Sequence, residues 1–138
     1  MLLKNLVTDQ LIINHKCCII GNMDWRIIFY KDKSGNEPVK EFILNQSDGA
    51  IGEILHVFDL LYRFNLSLGK PYVEKVEGRI WELRIKHSSD FYRILYFTFS
   101  GKKFILLHAL VKKSDKLPTR DIQLAIKRMN EYESQHST

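Results

Sequence analysis

Three β-forming stretches follow one another in the second half of the chain, at 79–87, 91–99 and 104–111. A Ser-Ser-Asp link (88–90) joins the first two, and a Ser-Gly-Lys link (100–102) precedes the third. Links this short cannot carry a crossover, so the three stretches must be antiparallel neighbours. Arg84, Lys86 and Arg93 sit inside these otherwise apolar strands. A small domain that places cations in its sheet must either pair them or offer them to an anion.

The remaining segments complete an α+β pattern. Residues 25–31 (WRIIFYK) read as a strand, and KSGNEP (33–38) reads as a turn. Pro38 suits the first turn of a short helix, and Glu37 suits its positive end. A longer helix follows Ser47-Asp48-Gly49, with Ile51, Ile54, Leu55, Phe58, Leu61 and Tyr62 recurring at steps of three and four. It stops near Gly69, and Pro71 bars its continuation. The segment from Tyr72 turns β-like around Gly78. After Pro118, Thr119 can cap a last helix whose apolar stripe is Ile122, Ala125, Ile126, Met129 and Tyr132. The expected order is β-α-α-β-β-β-α, a small twisted antiparallel sheet packed on helices. The chain of 138 residues reads as one domain at 23–138 preceded by an extension at 1–22, with Met23 as an alternative start of translation.

Composition excludes several classes. No apolar run approaches the ~20 residues of a membrane span, and the opening residues make a poor signal peptide. Cys17 and Cys18 are adjacent, so no disulfide framework is expected and the cytoplasm is the expected compartment. The five histidines show no ligand spacing with cysteines or carboxylates, so neither a metal nor another cofactor is expected. The net charge of +5 is concentrated: residues 69–116 carry 11 Lys/Arg against 5 Asp/Glu, an excess of six. Such a footprint suits a phosphate-binding surface, though charge alone favours the plainer reading of a solvated basic face.

Side chains alternate across a strand. Trp81, Leu83 and Ile85 should share one face, and Glu82, Arg84 and Lys86 the other. In the third strand Ile105, Leu107, Ala109 and Val111 form an apolar face expected to meet helices. Phe104, Leu106, His108, Leu110 and Lys112 form a mixed face expected to meet solvent or a partner. An unpaired buried guanidinium is very costly, which assigns Arg93 to the open face with Phe91, Leu95 and Phe97. Arg84, Arg93, His108 and Lys112 would then converge on one concave surface. The competing reading pairs the charges across strands, Glu82 with Arg84 and Asp90 with Arg93.

VEGRIWELRIK (76–86), FYRILYF (91–97), LLHALVKKSDKLP (106–118) and DIQLAIKRMNEY (121–132), with FYKDKSGNEPVKEFI (29–43), together resemble the RelE/ParE superfamily of bacterial toxins, nearest its phage-associated HigB branch. The resemblance covers roughly residues 23–133. It implies a small twisted sheet with helices on one side. It also implies the toxin of a type II toxin–antitoxin system: a metal-independent endoribonuclease that cuts messenger RNA on the ribosome and so inhibits translation. The implied partners are messenger RNA, the ribosome and a cognate helix-turn-helix antitoxin of the HigA kind. The ParE branch keeps the fold and poisons DNA gyrase, which leaves a non-enzymatic inhibitor, or a binding module that grips nucleic acid without cutting, as alternatives. By position, Arg84 and Arg93 match phosphate-contacting cations, and Lys112 and Lys113 match a basic pair. His108 is a further proton-transfer candidate, while Lys86 and Arg79 are expected at flanking phosphates. Two features depart from the pattern: SDKLPTRD (114–121) lacks a Tyr or His, and Glu82 stands where some relatives carry lysine.

Overall fold

A computed structural model describes residues 25–112 and 114–137. The expected extension at 1–22, with Met23, lies outside the described residues, and so does Lys113. Among the described residues the sheet has five strands: β1 (Arg26–Phe29), β2 (Val73–Glu77), β3 (Ile80–His87), β4 (Asp90–Phe99) and β5 (Lys103–Lys112). The helices are α1 (Pro38–Leu44), α2 (Asp48–Phe64) and α3 (Thr119–His136), with a short 3-10 turn at Asn65–Ser67. No helix among the described residues is long and apolar enough to cross a membrane.

The spatial order is β1-β5-β4-β3-β2. Strands β2 to β5 form an antiparallel meander, as the short links require. Two expectations are corrected. The sheet is mixed, because β1 pairs with β5 in parallel; these strands are far apart in sequence, so no hairpin dictates their direction. The sheet also has one more strand than expected, β2, which pairs with β3 through a two-residue Gly78-Arg79 turn. Gly78 takes φ +55° there, a conformation that glycine adopts without steric cost.

Helices cover both faces of the sheet, against the expectation of one. On one face, Val39 and Ile43 of α1 and Ile51, Ile54, Phe58 and Leu61 of α2 pack on Leu83, Ile85, Ile94, Phe104 and Leu106. Ser47 caps α2 by accepting a bond from the Ala50 amide at 3.2 Å. On the other face, Ala125, Met129 and Tyr132 of α3 pack on Ile80, Leu95, Phe97, Ile105 and Leu107. The α3 stripe is the one its periodicity predicts. Its cap is not: Pro118 occupies the capping position without a side-chain bond, and Thr119 is already helical.

A third correction within the sheet is local. The β4–β5 register shifts between Leu95, opposite His108, and Tyr96, opposite Leu106. Leu107 is the extra residue of this bulge. Uninterrupted alternation therefore fails in β5. Ile105 and Leu107 face α3, and beyond the bulge His108, Leu110 and Lys112 take over that face, while Ala109 packs toward α1 and α2.

Leu106 and Leu107 are both fully buried, in different cores. Leu106→Ala and Leu107→Ala should each lower stability by about 2–5 kcal/mol in urea unfolding. A sheet covered on one face only would spare one of the two variants.

Candidate functional site

Helix α3 covers the α3-side face of the sheet at Leu95, Phe97 and Ile105 and leaves the far ends of β3, β4 and β5 open. There Arg84, Phe91, Arg93, Lys112, Ser114 and Asp115 line a cleft of about 110 Å³. The strands place these groups by register: Arg84 lies opposite Arg93, and Phe91 lies opposite both Lys86 and Lys112. Three of the expected site cations therefore do share one spot.

The two arginines are not free. Arg93 is 4% exposed, and its Nη1 donates to both carboxylate oxygens of Glu82, itself 4% exposed, at 3.0 Å each. Arg84 Nη1 donates to Glu74 Oε2 at 2.7 Å, and its Nε lies 3.9 Å from Glu82 Oε1. The expectation of an open, solvent-facing Arg93 is thus corrected. Its face is the predicted one, but the guanidinium is buried and a carboxylate makes that burial tolerable. The cross-strand reading holds in part: Arg84 lies within ion-pair distance of Glu82 as that reading has it, though its hydrogen bond goes to Glu74, and Arg93 takes Glu82 in place of Asp90.

Register explains the exchange. Glu74 is directly opposite Glu82, and Arg84 is directly opposite Arg93. Like charges facing each other across strands repel. Diagonal pairing removes both conflicts and leaves an alternating series, Glu74–Arg84–Glu82–Arg93, that runs across three strands.

Lys112 extends this series on β5. It is 5% exposed, and its ammonium has no hydrogen-bond partner among the described residues. Burial lowers its pKa from the ordinary 10.5, and the Arg93 charge lowers it further, against the opposing pull of Glu82 and Asp115. A buried amine that loses its proton more readily than usual has the chemistry a proton-transfer group needs.

The other expected site residues lie elsewhere. His108 is four residues before Lys112 on β5, roughly 13 Å along a strand, and it does not line the cleft. Its Nε2 lies 2.6 Å from Asp121 Oδ1 in the first turn of α3, and its Nδ1 lies 3.4 Å from Arg128 Nη1. These bonds seat α3 on the sheet. Arg79 pairs with Glu133 at 2.5 Å and lies over the Phe97 ring, at the opposite end of β3. Lys86 is at the rim, its ammonium 5.7 Å from the centroid of the Phe91 ring. Sequence reasoning did not single out Glu74, Phe91 or Ser114. The alternation VEKVE before Gly78 was the signal for a strand that carries Glu74 to Arg84. Among the described residues, no group of three or more His, Cys, Asp or Glu side chains is placed to hold a metal ion.

Residues 41–130 match the family described as Phage derived protein Gp49-like (DUF891). The matched span runs from α1 into the later turns of α3 and contains every residue that lines the cleft. Among curated proteins, none matches the chain.

The charge series makes two stability predictions. Glu82→Ala strands a buried guanidinium and should cost about 3–5 kcal/mol, whereas Glu74→Ala removes a half-exposed partner and should cost at most ~1 kcal/mol. Equal losses in denaturant titrations would contradict this ranking. Lys112→Met should raise stability at neutral pH by removing an unpaired buried charge. With a lowered folded-state pKa, the folded chain releases the Lys112 proton while the unfolded chain still holds it, so wild-type stability recovers as pH rises toward 10.5. The advantage of Lys112→Met should accordingly shrink over that range, as unfolding curves between pH 7 and 10.5 will reveal.

Proposed function

The chain belongs to the Gp49-like family of phage-derived proteins, within the RelE-like toxin superfamily, and from that premise we propose that it is the toxin of a type II toxin–antitoxin system, of the HigB-like branch, and cuts messenger RNA on the ribosome. The observation that carries this reading is Lys112: a buried ammonium without a hydrogen-bond partner among the described residues, with a lowered pKa, in a cleft it shares with a partly exposed arginine.

RNA brings its own nucleophile, the 2′-hydroxyl. In the proposed reaction, Asp115 accepts the 2′-proton as the 2′-oxygen attacks the adjacent phosphorus. The bond from phosphorus to the 5′-oxygen breaks, and Lys112 gives that oxygen a proton. The products are a 2′,3′-cyclic phosphate and a 5′-hydroxyl. Arg84 exchanges Glu74 for a phosphate oxygen and stabilises the charge that grows there. Arg93, held by Glu82, acts through Lys112, because its fixed charge favours release of the lysine proton. Lys113 matches the second residue of the superfamily's basic pair and stays in the proposal as a phosphate contact. No metal or other cofactor enters this scheme. The implied antitoxin is a helix-turn-helix protein that blocks the toxin.

A second reading draws on one specific observation. Both arginines already hold carboxylates, which is what a charged surface without an RNA substrate would show. A non-enzymatic inhibitor of a protein such as DNA gyrase fits that state.

Translation in a cell extract, with 5′ ends mapped on the message, separates the two. Wild-type protein should produce discrete new ends. Lys112→Met, which is expected to fold at least as well, should cut at least about 100-fold more slowly. In cells, growth arrest should be relieved by co-expressing the product of the downstream neighbouring gene. Intact message together with lost supercoiling activity would establish the gyrase reading in its place.

A further inference from the structure

We propose that Phe91 is the platform on which the nucleobase beside the bound phosphate stacks; this rests on the RNA-cutting reading above and adds to it how the substrate strand is positioned. Phe91 opens β4 on the same face as Arg93, Leu95 and Phe97. Leu95 and Phe97 are fully buried beneath α3, while Phe91 is 39% exposed. Its ring lines the cleft together with Arg84, Arg93 and Lys112. Register sets a lysine on each side of it, Lys86 on β3 and Lys112 on β5.

An exposed phenylalanine is ordinary in isolation. This one stands at the mouth of a cleft whose other walls are polar or charged, where an apolar side chain gains nothing from hydration. Single-stranded nucleic acid is gripped by this combination: cations for the backbone and an aromatic face for the base. Stacking of this kind is sequence-tolerant because every base offers a π-face.

In the free protein the Lys86 ammonium lies over the ring. An exposed cation–ring contact is the weaker of the two interactions, so a base can take the ring. Lys86 then turns to the next phosphate, which gives this rim lysine the flanking role its position suggests. The competing view is that Phe91 is only apolar cover for the buried stem of Lys112. Leucine would serve that purpose as well.

The test is message cleavage in a cell extract by Phe91→Leu, Phe91→Tyr and Phe91→Trp, with kcat and KM resolved and unfolding midpoints measured alongside. Phe91→Leu should raise KM about tenfold or more with an unchanged midpoint, while Phe91→Tyr and Phe91→Trp stay within about threefold of wild type. Phe91→Leu cutting with wild-type KM would overturn the platform and leave the nuclease reading intact. Equal impairment of all three variants would overturn it too, because a ring would then confer no advantage. If wild-type protein leaves the message uncut, the nuclease reading falls and takes the platform with it.

Discussion

Burying Glu82 and Arg93 together takes two full charges out of water, and the rest of the charged face is arranged around that pair. The effective desolvation penalty is several kcal/mol per ion. It is tolerable here because the guanidinium donates to both carboxylate oxygens. Once the two are joined, Glu74 must find another cation, and Arg84 is the one within reach on the diagonal. Lys112 comes last in the series and finds no carboxylate within hydrogen-bonding distance among the described residues. Burial is the main cause of its lowered pKa, and the Arg93 charge beside it adds to the effect.

The bulge in β5 decides that Lys112 joins this group at all. Strict alternation from Ile105 and Leu107 would put residues 109 and 111 on the α3 side and turn Lys112 toward α1. The extra residue at Leu107 reverses the parity, so a single strand supplies apolar groups to α3 at one end and a cation to the cleft at the other. Bulges often sit beside functional sites for this reason. His108, at the turning point, meets Asp121 and anchors the start of α3, which fixes where the helix begins and how much of the sheet stays open.

The parts of this arrangement that were legible in the sequence are those governed by local rules. Tight links fixed β3, β4 and β5 as antiparallel neighbours, period-two alternation grouped Glu82, Arg84 and Lys86 on one face, and the cost of burying a lone guanidinium assigned Arg93 to the same side. Helical spacing found the buried faces of α2 and α3. The family resemblance was legible as well, to the level of the superfamily. What the sequence did not disclose is non-local. The bulge arises from pairing with β4, and no residue at 107 or 108 announces it. The parallel partner of β1 is set by the whole topology. The partners of Arg84 and Arg93 depend on a register with β2, a strand that the alternation of Val73, Val76 and their glutamates only hinted at. Burial of Arg93 was ruled out on the cost of an unpaired guanidinium, a sound rule whose premise failed because Glu82 lies within reach.

The ion pairs in the cleft are not equivalent, and the difference separates structure from chemistry. Arg84 and Glu74 are each about one-third or more exposed, at 32% and 40%, so water screens their attraction, and pairs of this kind contribute about 0–1 kcal/mol. A phosphate oxygen can replace the Glu74 carboxylate on Arg84 with little net change. Glu82 and Arg93 are buried, and removing one partner strands the other at a cost of about 3–5 kcal/mol. No ligand of ordinary affinity gains by opening that pair. Paired arginines therefore do not by themselves argue against an anion site. The exposed pair is an exchangeable seat, the buried pair is the fixed frame that shapes the field, and Lys112, at the end of the series and with no hydrogen-bond partner among the described residues, is the group on which the proposed chemistry rests.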